Sequence, residues 1–119
     1  MKTIKIKKLK WGVAGCGKYA ENTFIPAMNL LRRSSVHSVF SNNIDRAKGV
    51  AQRHGIPLYF SGYEDFLNSG IDAVYVSSAN ADHYRMVIAA AKAGKNILCE
   101  KPLALNSTEA EEMVKVCKE

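Results

Sequence analysis

Leu9-Lys10-Trp11-Gly12-Val13-Ala14-Gly15-Cys16-Gly17-Lys18-Tyr19-Ala20 is the stretch that decides the fold. The apolar run ending at Ala14 reads as a strand. Two glycines then turn the chain into a helix that continues through Phe24, Ile25 and Met28 toward Leu31. Pro26 predicts a break or kink there, with two short helices in place of one. Gly15-x-Gly17-x-x-Ala20 has the spacing of a phosphate-binding turn. The first glycine permits the tight turn, the second lets backbone amides approach a pyrophosphate, and the small third residue lets helix and strand pack closely. The unpaired N–H groups at the helix start add partial positive charge. The plain alternative is a glycine turn that binds nothing.

Outward from that turn, strand and helix patterns alternate. Val36 to Phe40 reads as strand two. Asn43 caps a helix with the face Ala47, Val50, Ala51 and His54, stopped by Gly55. Pro57-Leu58-Tyr59 is a short third strand. Ser61-Gly62-Tyr63-Glu64 has capping-box spacing and opens a short helix through Leu67. Ile71 to Val76 is strand four, and Asp82 through Ala93 is an alanine-rich helix stopped by Gly94. Asn96 to Cys99 is a buried fifth strand. Asn106-Ser107-Thr108-Glu109 opens a last helix that buries Ala110, Met113, Val114 and Cys117. This alternation predicts an α/β fold: a doubly wound, mostly parallel sheet with helices on both faces.

The chain has 119 residues, 47% of them hydrophobic, which suits one compact domain and excludes disorder. Its net charge is +6, which raises the question of nucleic acid. Five of the 17 basic residues (Lys2, Lys5, Lys7, Lys8 and Lys10) stand in the first ten positions with no acid among them, so the remainder is nearly neutral. The charge is a basic arm over residues 1–8 rather than a basic face, and no nucleic-acid partner is expected. No apolar run approaches the roughly 20 residues of a membrane span. Cys16, Cys99 and Cys117 form no CxxC and are odd in number. They indicate a reducing compartment, with the cytoplasm as the expected location and no metal site. Cys99 and Cys117 read as core filler.

Candidate site residues cluster at strand ends, where open α/β sheets bind ligands. Gly15, Cys16, Gly17, Lys18 and Tyr19 form the turn. After strand two come Ser41 and Asn42, with Arg46 just beyond. An acid at that strand end would accept from the ribose of NAD; its lack leans toward NADP. Asn42 and Asn43 also serve as plain turn and cap residues. Ser77, Ser78 and Asn80 follow strand four, and Asn80 reads equally as a helix cap. His83 is a structural histidine or a proton shuttle. His37 and His54 have packing or surface roles. Glu100-Lys101-Pro102 closes strand five, where a charged pair is costly unless it meets a cleft, a ligand or a partner charge. A lysine beside a nicotinamide can hydrogen-bond a substrate hydroxyl or exchange a proton with it. An X-Pro bond such as Lys101–Pro102 can be cis where a tight turn is needed.

With these residues in hand, the chain resembles the N-terminal half of the Gfo/Idh/MocA oxidoreductases over about residues 9–119. Gly15 to Ala20 is similar to that family's nucleotide turn, Tyr63-Glu64-Asp65-Phe66-Leu67 to its short helix, Ile71 to Val76 to its fourth strand, and Glu100-Lys101-Pro102 to its most specific motif. The resemblance implies that Lys101 is the catalytic residue near nicotinamide and substrate, with Glu100 and Pro102 shaping the pocket. It implies hydride transfer between NAD or NADP and a sugar, cyclitol or related polyol. Two departures stand out. Ser78-Ala79-Asn80 replaces the usual Thr-Pro-Asn, and Ser41-Asn42 replaces the Ser-Arg of NADP-preferring members.

The family's second domain, which supplies the substrate pocket, has no counterpart in these residues. The expectation is one NAD(P)-binding domain over residues 1–119 that binds dinucleotide but lacks competence alone, from a chain naturally longer. Homo-oligomerisation is a further possibility the resemblance allows. The competing expectation is a non-catalytic module that senses dinucleotide or docks a partner.

Overall fold

The structure is a computed structural model and describes residues 8–78, 82–100 and 107–118. β1 (Leu9–Ala14) lies at the centre of five parallel strands. The others are β2 (Ser34–Phe40), β3 (Leu58–Phe60), β4 (Ala73–Val76) and β5 (Asn96–Cys99), and the order is β3-β2-β1-β4-β5. The chain therefore reverses its direction of growth between β1 and β4, the position where open α/β sheets form a ligand crevice. The β1–β2 register slips at Trp11/Gly12, which pair with Val36 and Ser38 and leave His37 unmatched.

Alternation along each strand sends side chains to two cores. Val13, Val39 and Tyr75 pack on one face with Phe24 and Ile25 and with Val50 and Ala51. Ala14, Phe40, Val74 and Val76 pack on the other with Phe66, Met86, Val87 and Met113. All four residues of β4 are buried, as a strand covered on both faces requires. Full burial of a valine such as Val74 or Val76 contributes roughly 1.5–3 kcal/mol.

The first helical segment differs from expectation in how it absorbs Pro26. The chain is helical without a break over residues 18–29. A π-helical turn, Ala20–Phe24, runs directly into α1 (Ile25–Asn29), and the Ile25 N–H reaches back to the Ala20 carbonyl. Proline lacks an N–H and its ring crowds the carbonyl four residues back. Widening the preceding turn accommodates that without a break. α2 (Ile44–His54) starts as expected: the Asn43 side chain accepts from the Asp45 and Arg46 N–H groups, and Gly55 ends the helix at φ +65°.

Other boundaries shift. α3 (Tyr63–Leu67) is capped by Gly62 with no side-chain hydrogen bond, so Ser61 is not the cap. Ile71 precedes β4 rather than belonging to it, yet is buried. α4 (His83–Lys92) begins one residue after Asp82. Two expectations of burial fail for one reason. β5 is an edge strand, so only Ile97 and Cys99 are half-buried and Leu98 is 48% exposed. α5 (Ser107–Lys118) packs against α4 beside that edge and buries Met113 alone; Ala110 is half-buried, and Val114 and Cys117 are exposed. Cys117 is therefore not core filler. Asn106 lies outside the described residues.

Candidate functional site

A cleft of about 290 Å³ opens at the carboxyl ends of β1, β2 and β4. Its first wall is the glycine turn. Gly15 has φ +120°, and a Cβ there would come within 2.7 Å of the Ser78 backbone nitrogen. Only glycine lets this turn pass so close to the end of β4. The turn is pinned on both sides: the Gly15 N–H donates to the Phe40 carbonyl at 2.9 Å, and the Ser77 hydroxyl donates to the Gly15 carbonyl at 3.3 Å. Gly17 differs. A Cβ there would meet nothing within 4 Å, so the space beside the first helical turn is open. A fixed backbone next to open space, at a helix start whose first N–H groups lack partners, fits an anionic phosphate.

Ser41, Asn42, Asn43 and Arg46 line the second wall. The Ser41 hydroxyl accepts from the Asn43 N–H at 3.2 Å, which folds the chain back into α2. No carboxylate stands in this wall; Asp45, on the same helical turn, is not among the lining residues.

The third wall comes from the end of β4 and the start of α4. Ser77 and Ser78 line it, and so do Asp82 and Met86. The Ser78 hydroxyl donates to the Met86 sulfur at 3.0 Å. His83 is 1% exposed, and its Nε2 lies 3.0 Å from the Ser78 carbonyl. The imidazole is buried behind the wall and is not among the residues lining the cleft.

The structure thus brings Gly15, Cys16, Gly17, Ser41, Asn42, Arg46, Ser77 and Ser78 around one cleft. Lys18 and Tyr19 are exposed at the helix start and do not line it. Glu100 sits just past β5, its N–H donating to the Val76 carbonyl at 2.9 Å. It is half-buried, and its charge helps burial push the Tyr75 phenol pKa upward. Asn80, Lys101 and Pro102 lie outside the described residues.

Four lining residues were not read as site residues: Phe40, Asn43, Asp82 and Met86. Asn43 was legible as a cap and serves both purposes. Asp82 and Met86 are four apart on one helical face, a spacing visible in the sequence. What it faces depends on β4 lying next to β1.

Two thiols have shifted acidity. Cys16 rises from 9.0 to about 11, mainly through burial and then through the charge of Glu21. Its Sγ lies 3.5 Å from the Phe40 carbonyl, to which it donates. Cys99 also rises from 9.0 to about 11, again mainly through burial. Neither is a ready nucleophile at neutral pH. Among the described residues no group of three or more His, Cys, Asp or Glu side chains could hold a metal ion, and no helix is long and apolar enough to cross a membrane.

Comparison with known proteins agrees with this geometry. Residues 9–119 match the Gfo/Idh/MocA model, described as an oxidoreductase family with an NAD-binding Rossmann fold. Trans-1,2-dihydrobenzene-1,2-diol dehydrogenase of Xenopus tropicalis is 35% identical over 108 residues, covering 88% of this chain and 32% of its own length. A 3-ketoreductase from Actinomadura kijaniata, solved in complex with NADP and TDP-benzene, superposes with a TM-score of 0.88 at 32% identity, covering 94% of this chain and 34% of that one. The WlbA dehydrogenase from Bordetella pertussis, in complex with NADH and UDP-GlcNAcA, gives a TM-score of 0.87 at 27% identity, covering 98% of this chain and 34% of that one. The chain spans about a third of the length of the curated relatives it matches. It belongs to the Gfo/Idh/MocA family of oxidoreductases and carries that family's NAD(P)-binding Rossmann domain.

Proposed function

We propose that this chain holds NADP in the cleft between β1, β2 and β4, as the dinucleotide half of an oxidoreductase acting on a sugar, cyclitol or related polyol. The observation that carries the reading is the contrast between the two glycines: Gly15 is fixed against the end of β4, and Gly17 leaves space beside the helix start. Backbone N–H groups of the turn hold the pyrophosphate, with Lys18 and Tyr19 bordering it at the helix entry. Ser41, Asn42 and Arg46 take the adenosine ribose. The Arg46 guanidinium suits a 2′-phosphate, for which it offers a planar, doubly donating partner. Ser77 and Ser78 line the way toward β5, with His83 Nε2 at the Ser78 carbonyl, and Asn80 and His83 are assigned to the cofactor side from the family resemblance.

A nicotinamide held in this cleft would supply hydride transfer to or from the substrate carbon. In this reading, carried over from the family resemblance, Lys101 exchanges the proton of the reacting hydroxyl, and Glu100 and Pro102 are assigned to the same pocket. The chain spans about a third of its relatives' length, and this reading assigns the substrate pocket to the further length, so residues 1–119 alone are expected to bind dinucleotide and turn over no polyol. Calorimetric titration of Arg46→Ala with NADP and with NAD tests the ribose assignment. Loss of about tenfold or more in NADP affinity, with NAD affinity nearly unchanged, is expected from removal of one charge-assisted contact. An equal effect on both cofactors contradicts it. Turnover of a polyol by residues 1–119 alone contradicts the division of labour.

A further inference from the structure

Asp82 is a carboxylate in the wall of a cleft that otherwise suits a polyanion. It lies at the N-cap of α4 but makes no side-chain capping hydrogen bond. Among the described residues its side-chain partner is Arg85, whose Nη2 donates to Oδ1 at 3.1 Å and whose side chain is 70% exposed. A pair so open to water contributes little, and among the described residues it engages Oδ1 alone.

The surroundings narrow what the other oxygen meets. Phe40 and Met86 line the same cleft, 4% and 1% exposed, and Met86 stands four residues after Asp82 on the same helical face. A flat aromatic ring lies well on a polarizable thioether. Arg46 stands in the facing wall, on the ribose side. A cleft wall that joins apolar side chains to an acceptor-only carboxylate suits a base that offers a donor edge.

We propose that Asp82 is a specificity-determining residue that accepts a hydrogen bond from the exocyclic amino group of the cofactor's adenine and so rejects a base with a carbonyl at that place. The assignment rests on the reading that a dinucleotide occupies this cleft. Hypoxanthine presents an acceptor oxygen in place of the amino group, and a carboxylate repels it. A site built to receive an N–H discriminates strongly against an analogue that lacks it.

The test titrates NADP and nicotinamide hypoxanthine dinucleotide phosphate into the wild-type chain, Asp82→Ala and Arg85→Ala by calorimetry. The ratio of the two affinities is the readout, because loss of a charge or slight loosening of the fold moves both affinities together. The wild type is expected to favour NADP by roughly tenfold or more. Asp82→Ala reduces that preference to within about twofold, and Arg85→Ala, which keeps the carboxylate, retains it. No preference in the wild type overturns the proposal, as does a preference that survives in Asp82→Ala. If neither cofactor binds the wild type, the reading of the cleft falls first and the role of Asp82 with it.

Discussion

Gly15 and Gly17 stand two residues apart and do different work, which makes them separable by experiment. Gly15→Ala places a Cβ 2.7 Å from the Ser78 backbone nitrogen at a φ of +120°. Denaturant unfolding is expected to show a loss of about 2 kcal/mol or more, because both the conformation and the contact are backbone constraints. Gly17→Ala meets no neighbouring atom, so stability should stay within about 0.5 kcal/mol of wild type. Its methyl group enters the space assigned to the pyrophosphate, and NADP affinity should fall at least tenfold. Unchanged affinity in that variant contradicts the assignment. The thiols give a pH prediction. Cys16 and Cys99 titrate near 11 when folded against 9.0 as free side chains. Raised pKa values favour the folded state fully below pH 9, and that contribution is lost as pH climbs toward 11. Unfolding midpoints should decline over this window, and by less in a Cys16→Ser, Cys99→Ser double variant.

At the scale of elements, the joint between the glycine turn and α2 carries the cleft. Glu21, in the π-helical turn, pairs with Arg53 at 2.6 Å and with His54 at 3.0 Å, both on the last turn of α2. Arg53 first, and then His54, hold the Glu21 carboxyl below its ordinary pKa. A lowered carboxylate pKa contributes stability above the unfolded value of 4.5, and acid removes it as pH falls through the lower folded value. Glu21→Gln should therefore flatten the acid limb of a stability-against-pH curve. An identical acid limb in the variant rules the contact out as a contributor. At the other end of α2, Asn43→Ala removes the acceptor for two N–H groups and should cost about 1 kcal/mol. It should also weaken NADP binding by loosening the wall that carries Arg46.

These elements show what was readable from the chain. The strand–turn–helix from Leu9 to Ala20 and the Asn43 cap are local, set by glycine, apolar runs and a short polar side chain. The response to Pro26 was not readable, because a widened turn relieves the same clash as a kink. The exposure of Leu98, Val114 and Cys117 depends on strand order: an apolar residue in β5 looks the same in sequence whether its strand is central or at the edge. Asp82 and Met86 become cleft residues only because β4 lies next to β1.

At the scale of the whole molecule, five parallel strands with a reversal between β1 and β4 place the described candidate residues at one end of the sheet, although they run from Gly15 to Glu100 in the sequence. Parallel strands make this possible, since all their carboxyl ends point the same way. The central claim is that this cleft binds NADP through the turn and the Arg46 wall, independently of any substrate domain. Calorimetric titration of residues 1–119 with NADP and NAD tests it most directly. The account predicts saturable one-to-one binding of NADP below millimolar concentration and weaker binding of NAD. Absence of heat from NADP at millimolar concentration, with the chain folded, contradicts it.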